Sequence, residues 1–120
     1  MRVLVVDDEP LCGELVQRAL RREYDVTFCS RGDDAIAQIR GGASFDAILC
    51  DLTMPGTSGV DVFRAVRDAA PAQAEKIVFV TGGATTADAN ALLAAQRGRV
   101  LFKPFDRARL LQAVGTVAKG

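Results

Sequence analysis

Five short apolar runs, rich in Val, Ile and Leu, recur along this chain. They cover residues 2–6, 25–29, 46–51, 76–80 and 99–102. The run that ends at Asp51 has no alternating polar face, which is typical of a strand buried on both sides of a sheet. A turn containing Pro55 and Gly56 follows and prevents this strand from continuing. We therefore predict five strands, and we expect the one ending at Asp51 to be central.

After each predicted strand, apolar residues recur at helical spacing. The inner faces of the five helices are predicted to carry Leu11, Leu15, Val16, Ala19, Leu20, Ala35, Ile36, Ile39, Val60, Phe63, Val66, Leu110, Leu111, Val114 and Val117, with a weaker, Ala-rich face between Thr86 and Ala95. Five strands alternating with five helices predict one α/β domain over residues 1–120. The expected architecture is a doubly wound parallel sheet with helices on both faces.

Composition and charge exclude several classes of function. Fifteen basic and fifteen acidic residues cancel, so the chain lacks the basic excess of a direct nucleic-acid binder. No apolar run approaches the ~20 residues of a membrane span, and we expect no membrane partner. Cys12, Cys29 and Cys50 form no Cys-x-x-Cys pair and are predicted to be buried thiols in a reducing cytoplasm. The chain has no histidine, which excludes a Ser-His or Cys-His nucleophile and His-ligated zinc within it.

Polar residues stand where the predicted strands end. Asp7 and Asp8 follow the first strand, Asp51 ends the third, Thr81 follows the fourth and Lys103 follows the fifth. Parallel sheets gather these ends on one rim. Three carboxylates on one rim repel each other, and a bound Mg²⁺ relieves that cost. A lysine and a threonine hydroxyl beside them suit a phosphoryl group. Taken singly, each residue has a plainer interpretation, as a helix cap, a turn hydroxyl or a surface charge.

Four motifs give the chain a resemblance to a known family. They are Val5-Val6-Asp7-Asp8-Glu9-Pro10, Asp51-Leu52-Thr53-Met54-Pro55-Gly56 with Gly59, Val80-Thr81-Gly82, and Phe102-Lys103-Pro104-Phe105. With these motifs in order, each at a predicted strand end, the chain resembles the receiver domain of two-component response regulators over essentially its whole length. The resemblance implies a flavodoxin-like (βα)5 fold and a signalling module rather than an enzyme.

The resemblance also implies a role for each rim residue. Asp51 is similar to the phosphoacceptor. Asp8, Asp51 and the backbone carbonyl of Thr53 resemble direct Mg²⁺ ligands, with Asp7 holding the metal mainly through water. Thr81 resembles the hydroxyl that moves toward the phosphoryl group, and Lys103 the cation that pairs with it. A cis peptide bond before Pro104 is implied as well.

One position departs from the family pattern. Members often carry Tyr or Phe three residues before the lysine, and that ring turns inward when the threonine moves. This chain has Val100 there, which has no ring to turn and little rotamer freedom. Phe102 is the nearest aromatic residue, and we expect it to be part of the core.

The expected partners are a sensor histidine kinase or a histidine phosphotransfer protein, with a possible downstream protein or fused output domain. The chain is either a stand-alone receiver or part of a longer protein such as a hybrid kinase, and Val100 favours a relay receiver. Two alternatives stay open. One is a phosphatase with an aspartyl-phosphate intermediate, which Asp51-Leu52-Thr53 fits poorly because the second acid of such enzymes is missing. The other is a phosphorylation-independent interaction domain.

Overall fold

The computed structural model describes residues 1–82, 86–96 and 99–119. Its five strands are β1 (Arg2–Val6), β2 (Asp25–Cys29), β3 (Ala47–Asp51), β4 (Ile77–Thr81) and β5 (Val100–Phe102). They form one sheet in the order β2-β1-β3-β4-β5, and every neighbouring pair is parallel. Every residue of β3 and β4 is buried. This confirms the predicted sheet and the central place of the strand that ends at Asp51.

Six helices surround the sheet in the described residues. They are α1 (Pro10–Leu20), α2 (Gly32–Arg40), α3 (Gly59–Ala69), α4 (Pro71–Ala74), α5 (Ala87–Ala95) and α6 (Arg107–Lys119). In this part of the chain no helix combines the length and the apolar character that crossing a membrane requires.

The short helix α4 is the one element that the sequence pattern does not predict. It begins at Pro71, where the missing N–H of proline costs nothing in a first helical turn. Gln73 in α4 joins it to the segment just before β3, because its side chain accepts from the Phe45 N–H at 2.7 Å and donates to the Phe45 carbonyl at 3.0 Å. A four-residue helix has no apolar period of its own, and this tertiary contact stabilises it instead.

Alternate residues of the strands face two separate hydrophobic clusters. Leu4, Ile48 and Phe79 belong to the cluster covered by α2, α3 and α5. Their neighbours along the strands, such as Val5 and Leu49, belong to the cluster covered by α1 and α6. Side chains of successive strand residues point to opposite faces, so continuous apolar runs bury both faces of the sheet.

Three large apolar residues lie outside this core, against expectation. Leu11 and Leu15 of α1 are 70% and 58% exposed, because the sheet covers only the side of α1 that carries Val16 and Leu20. Phe102 is 61% exposed, so the prediction that it belongs to the core is wrong. β5 is an edge strand, and burial of Leu101 in it turns Phe102 away from the cluster around α6.

Candidate functional site

The register of the sheet brings the acidic residues together. Val6 of β1 is the partner of Cys50 in β3, so Asp7, which follows β1, and Asp51, which ends β3, lie side by side. Asp8 follows, and one carboxylate oxygen from each of the three lies within 4.8 Å of the others. Asp7 and Asp51 are each 5% exposed. The acidic rim predicted from the sequence is therefore a compact, largely buried group of carboxylates.

Two donors contact the Asp51 carboxylate from different sides. The Thr53 N–H donates to Oδ1 at 3.1 Å, and the Lys103 ammonium donates to Oδ2 at 3.4 Å. Burial raises the pKa of the Asp51 carboxyl above its ordinary value, and the charge of Asp7 raises it further. The hydrogen bonds from Thr53 and Lys103 lower the pKa, but by less than burial and Asp7 together raise it. The ionised carboxylate is thus incompletely stabilised by protein groups alone, which favours a further cation beside it.

The end of β5 positions Lys103. Its backbone N–H donates to the Thr81 carbonyl at 2.8 Å, and the peptide bond to Pro104 is cis, as the family resemblance implies. Burial lowers the pKa of Lys103, but the negative charges of Asp51 and its neighbours outweigh this, so the pKa is raised overall. The ammonium group therefore stays protonated at neutral pH.

Thr81 is the last residue of β4 and is 1% exposed. Asp51 pairs with Val80 in the sheet, and Thr81 pairs with Phe102. The register consequently sets Thr81 one residue beyond Asp51, on the same rim as Lys103. The structure thus brings together every rim residue that the sequence predicts.

The donor set fits a hard divalent cation. All three clustered groups are carboxylates, and oxygen ligands are those that Mg²⁺ prefers. One Asp7 oxygen already accepts from the Glu9 N–H at 2.9 Å, which holds that carboxylate toward the start of α1. Thr53 lies in the loop of residues 52–58, called here the β3–α3 loop, and is exposed.

Cys12 is a neighbour of the site that the sequence did not indicate. It is partly exposed rather than buried as predicted. The pKa of its thiol is raised to about 11, mainly by burial and to a smaller extent by a hydrogen bond with Asp7. Cys29 and Cys50 are buried as predicted. The pKa of Cys50 is raised as well, mainly by burial and further by the negative charge of Asp51. Thiols with raised pKa values are poor nucleophiles.

Comparison with known proteins gives consistent results. The response regulator receiver domain family matches residues 3–115. The transcriptional regulatory protein ResD of Bacillus subtilis is 36% identical over 87% of this chain and 42% of its own length. The nitrate/nitrite response regulator protein NarP of Escherichia coli is 35% identical over 99% of this chain and 55% of its own length. The chain therefore spans about half the length of these relatives.

A solved structure matches the fold over nearly its full length. It is the receiver domain of sensor histidine kinase PA1611 from Pseudomonas aeruginosa PAO1, with a magnesium ion coordinated in its active site cleft. It is 27% identical, has a TM-score of 0.84, and the alignment covers 99% of this chain and 98% of that one. The chain is therefore similar to a protein that binds magnesium, the ion that the carboxylates of Asp7, Asp8 and Asp51 fit in this chain.

Proposed function

Because this chain belongs to the response regulator receiver domain family, the phosphoacceptor modules of two-component signal transduction, we propose that residues 1–120 act as one such module with Asp51 as the phosphoacceptor. The single observation that carries this assignment is the ion pair between Lys103 and the buried Asp51 carboxylate, set within a cluster of three acids. A receiver domain is a signalling module rather than a metabolic enzyme, so the phosphatase alternative has no support.

The proposed reaction is an in-line transfer from phosphohistidine. A carboxylate oxygen of Asp51 attacks the phosphorus atom, the P–N bond breaks, and the imidazole of the donor leaves with the electron pair. Lys103 lies on the Oδ2 side of Asp51 at 3.4 Å, where its charge opposes the negative charge that develops on the phosphoryl oxygens. The hydroxyl of Thr81 is assigned the hydrogen bond to the transferred group.

The metal ligands are assigned to Asp8, Asp51 and the backbone carbonyl of Thr53, with Asp7 acting mainly through water. Bound Mg²⁺ supplies neutralising charge for the phosphoryl oxygens. The assignment of Thr53 is supported by its N–H, which donates to Asp51 at 3.1 Å and so holds the backbone of Thr53 near the carboxylate.

The donor protein is proposed to be a sensor histidine kinase or a histidine phosphotransfer protein. An exposed apolar surface suited to such a partner adjoins the rim. Leu11 and Leu15 are exposed on α1, and Leu15 borders a groove of about 390 Å³ that reaches Lys103 and Phe105. A partner covering this surface would bring its histidine to the same end of the sheet as Asp51.

The longer protein context is also a proposal. The matched region belongs to a sensor kinase in one solved relative and to regulators about twice as long in others. The balanced charge of these 120 residues supports the absence of a nucleic-acid surface here, so that any DNA contact would belong to a fused output domain. The free thiols fit the predicted cytoplasmic location. Val100 favours a relay role, because no ring is present there to couple the site to an output surface.

Phosphorylation with acetyl phosphate and Mg²⁺ tests the assignment directly. We expect one phosphoryl group per chain, labile to hydroxylamine, and none on the Asp51→Asn variant. Lys103→Ala should keep its Mg²⁺ affinity and lose at least about tenfold in phosphorylation rate. Asp68→Asn is a matched control, because Asp68 is exposed on α3, and it should behave as wild type. Equal labelling of the Asp51→Asn variant would disprove the assignment.

A further inference from the structure

A hydrogen bond joins the β3–α3 loop (residues 52–58) to the start of α2. The Thr57 hydroxyl donates to Oδ1 of Asp33, in the first turn of α2. The other carboxylate oxygen, Oδ2, accepts from the Arg31 guanidinium at 3.3 Å. The Asp33 carboxylate is thus oriented from two sides, with one oxygen directed at the loop.

Backbone packing at the same place supports the contact independently. A Cβ on Gly32 would lie 2.8 Å from the Thr57 carbonyl oxygen and 2.9 Å from the Thr57 methyl group. The absence of a side chain at Gly32 therefore lets the start of α2 approach the loop closely. The loop and the helix meet through both the Thr57 side chain and the Thr57 backbone.

The loop is also held at its other end. The Leu52 N–H donates to the Val80 carbonyl at 2.9 Å, and the Thr53 N–H donates to Asp51 at 3.1 Å. Between these contacts and Thr57 lies Gly56, whose φ of +74° is a conformation that favours glycine. At its far end the loop is held by the Gly59 N–H, which donates to the Leu52 carbonyl at 3.1 Å. Thr57 adds a side-chain contact that joins the residues just after Gly56 to α2.

From this geometry we propose that Thr57 and Asp33 are positioning residues for the metal site. Their hydrogen bond restrains the loop of residues 52–58, which carries the Thr53 carbonyl assigned above as a metal ligand. Neither residue touches the metal or the phosphoryl group. Their effect is on the affinity for Mg²⁺, because a loop that is already ordered loses less conformational freedom when the ion binds. This inference rests on the proposed function of the Asp51 site.

A double-mutant cycle of Thr57→Val and Asp33→Ala tests the proposal, with Mg²⁺ affinity measured by NMR titration. Each single variant should bind Mg²⁺ about threefold to tenfold more weakly. The double variant should be no weaker than the worse single variant, because both substitutions remove the same bond. At saturating Mg²⁺, phosphorylation of Thr57→Val by acetyl phosphate should stay within about twofold of wild type, which a general loss of structure would not allow.

Conservative and distant variants provide the controls. Thr57→Ser keeps the hydroxyl and should restore wild-type affinity. Thr116→Val removes a hydroxyl that bonds to the Gln112 carbonyl at 2.9 Å in α6, away from the rim, and should leave Mg²⁺ affinity unchanged. Unchanged affinity in Thr57→Val, strictly additive effects in the cycle, or equal weakening by Thr116→Val would each overturn the positioning role while leaving Asp51 as phosphoacceptor. A wild-type chain that shows no Mg²⁺-dependent shifts at Asp8 and Asp51 would overturn the proposed function, and the positioning role with it.

Discussion

The first turn of α3 packs directly beneath the proposed phosphoacceptor, and Gly59 makes this possible. The Gly59 N–H donates to the Leu52 carbonyl at 3.1 Å. A Cβ at this position would lie 2.6 Å from the Asp51 carbonyl oxygen and 2.7 Å from the Leu52 Cα, whereas ordinary contact begins at 3.4 Å. Both opposing atoms belong to the backbone, so no side chain can rotate away, and we predict that Gly59→Ala forces α3 and the end of β3 apart.

The expected cost follows from that overlap. Inserting a methyl group into a packed interior typically costs about 1–3 kcal/mol, so the free energy of unfolding should fall by that amount. The midpoint of thermal unfolding should fall by about 4 °C for each kcal/mol. Urea denaturation followed by circular dichroism measures the change, and the same shift of the Asp51 backbone should weaken Mg²⁺ binding.

Gly115→Ala is the matched control for this prediction. Gly115 lies within α6, and a Cβ there would have no atom within 4 Å. The same chemical change should therefore raise the free energy of unfolding by about 0.5–1 kcal/mol, since alanine loses less backbone entropy in a helix than glycine. A Gly59→Ala variant as stable as wild type, or stabilised like Gly115→Ala, would refute the packing argument.

Three further predictions concern single side chains. Without metal, Asp51→Asn should be more stable than wild type at neutral pH, because the folded state raises the pKa of the Asp51 carboxyl. Wild type therefore loses stability as pH rises from about 3.8, the ordinary value, through the folded pKa. Equal urea midpoints for the two proteins at pH 7 and pH 3 would contradict this. Phe102→Ser should change the free energy of unfolding by less than about 0.5 kcal/mol. Phe79→Ala, at a residue with 0% exposure, should lower it by about 3–5 kcal/mol. Similar costs for both would mean that Phe102 is buried after all. Beryllofluoride with Mg²⁺ should shift the amide resonances around Asp51 and Thr81. The amide resonances on the outer surface of α5 and β5 should shift little, because Val100 has no ring to turn inward. Shifts on that surface as large as those at Thr81 would show that another side chain takes that role.

The sequence by itself determined the fold class and the place of the site. Apolar runs of five residues without a polar face require a sheet covered on both sides, and helical spacing between them supplies the cover. In such a sheet the carboxyl ends of the strands share one rim, so residues as distant in the chain as Asp8 and Lys103 are predicted to meet. These conclusions depend only on local periodicity and chain direction, both of which are written in the sequence.

Only the tertiary structure decided which apolar residues are covered and which polar side chains pair. Periodicity places Leu11 and Leu15 on a helix but does not show where the sheet stops covering it, and it cannot show that Phe102 lies on an uncovered edge. The bond between Thr57 and Asp33 joins residues 24 positions apart, and no local pattern encodes such a pairing. Burial and side-chain contacts depend on the distances between elements after packing, and those distances are set by the whole molecule.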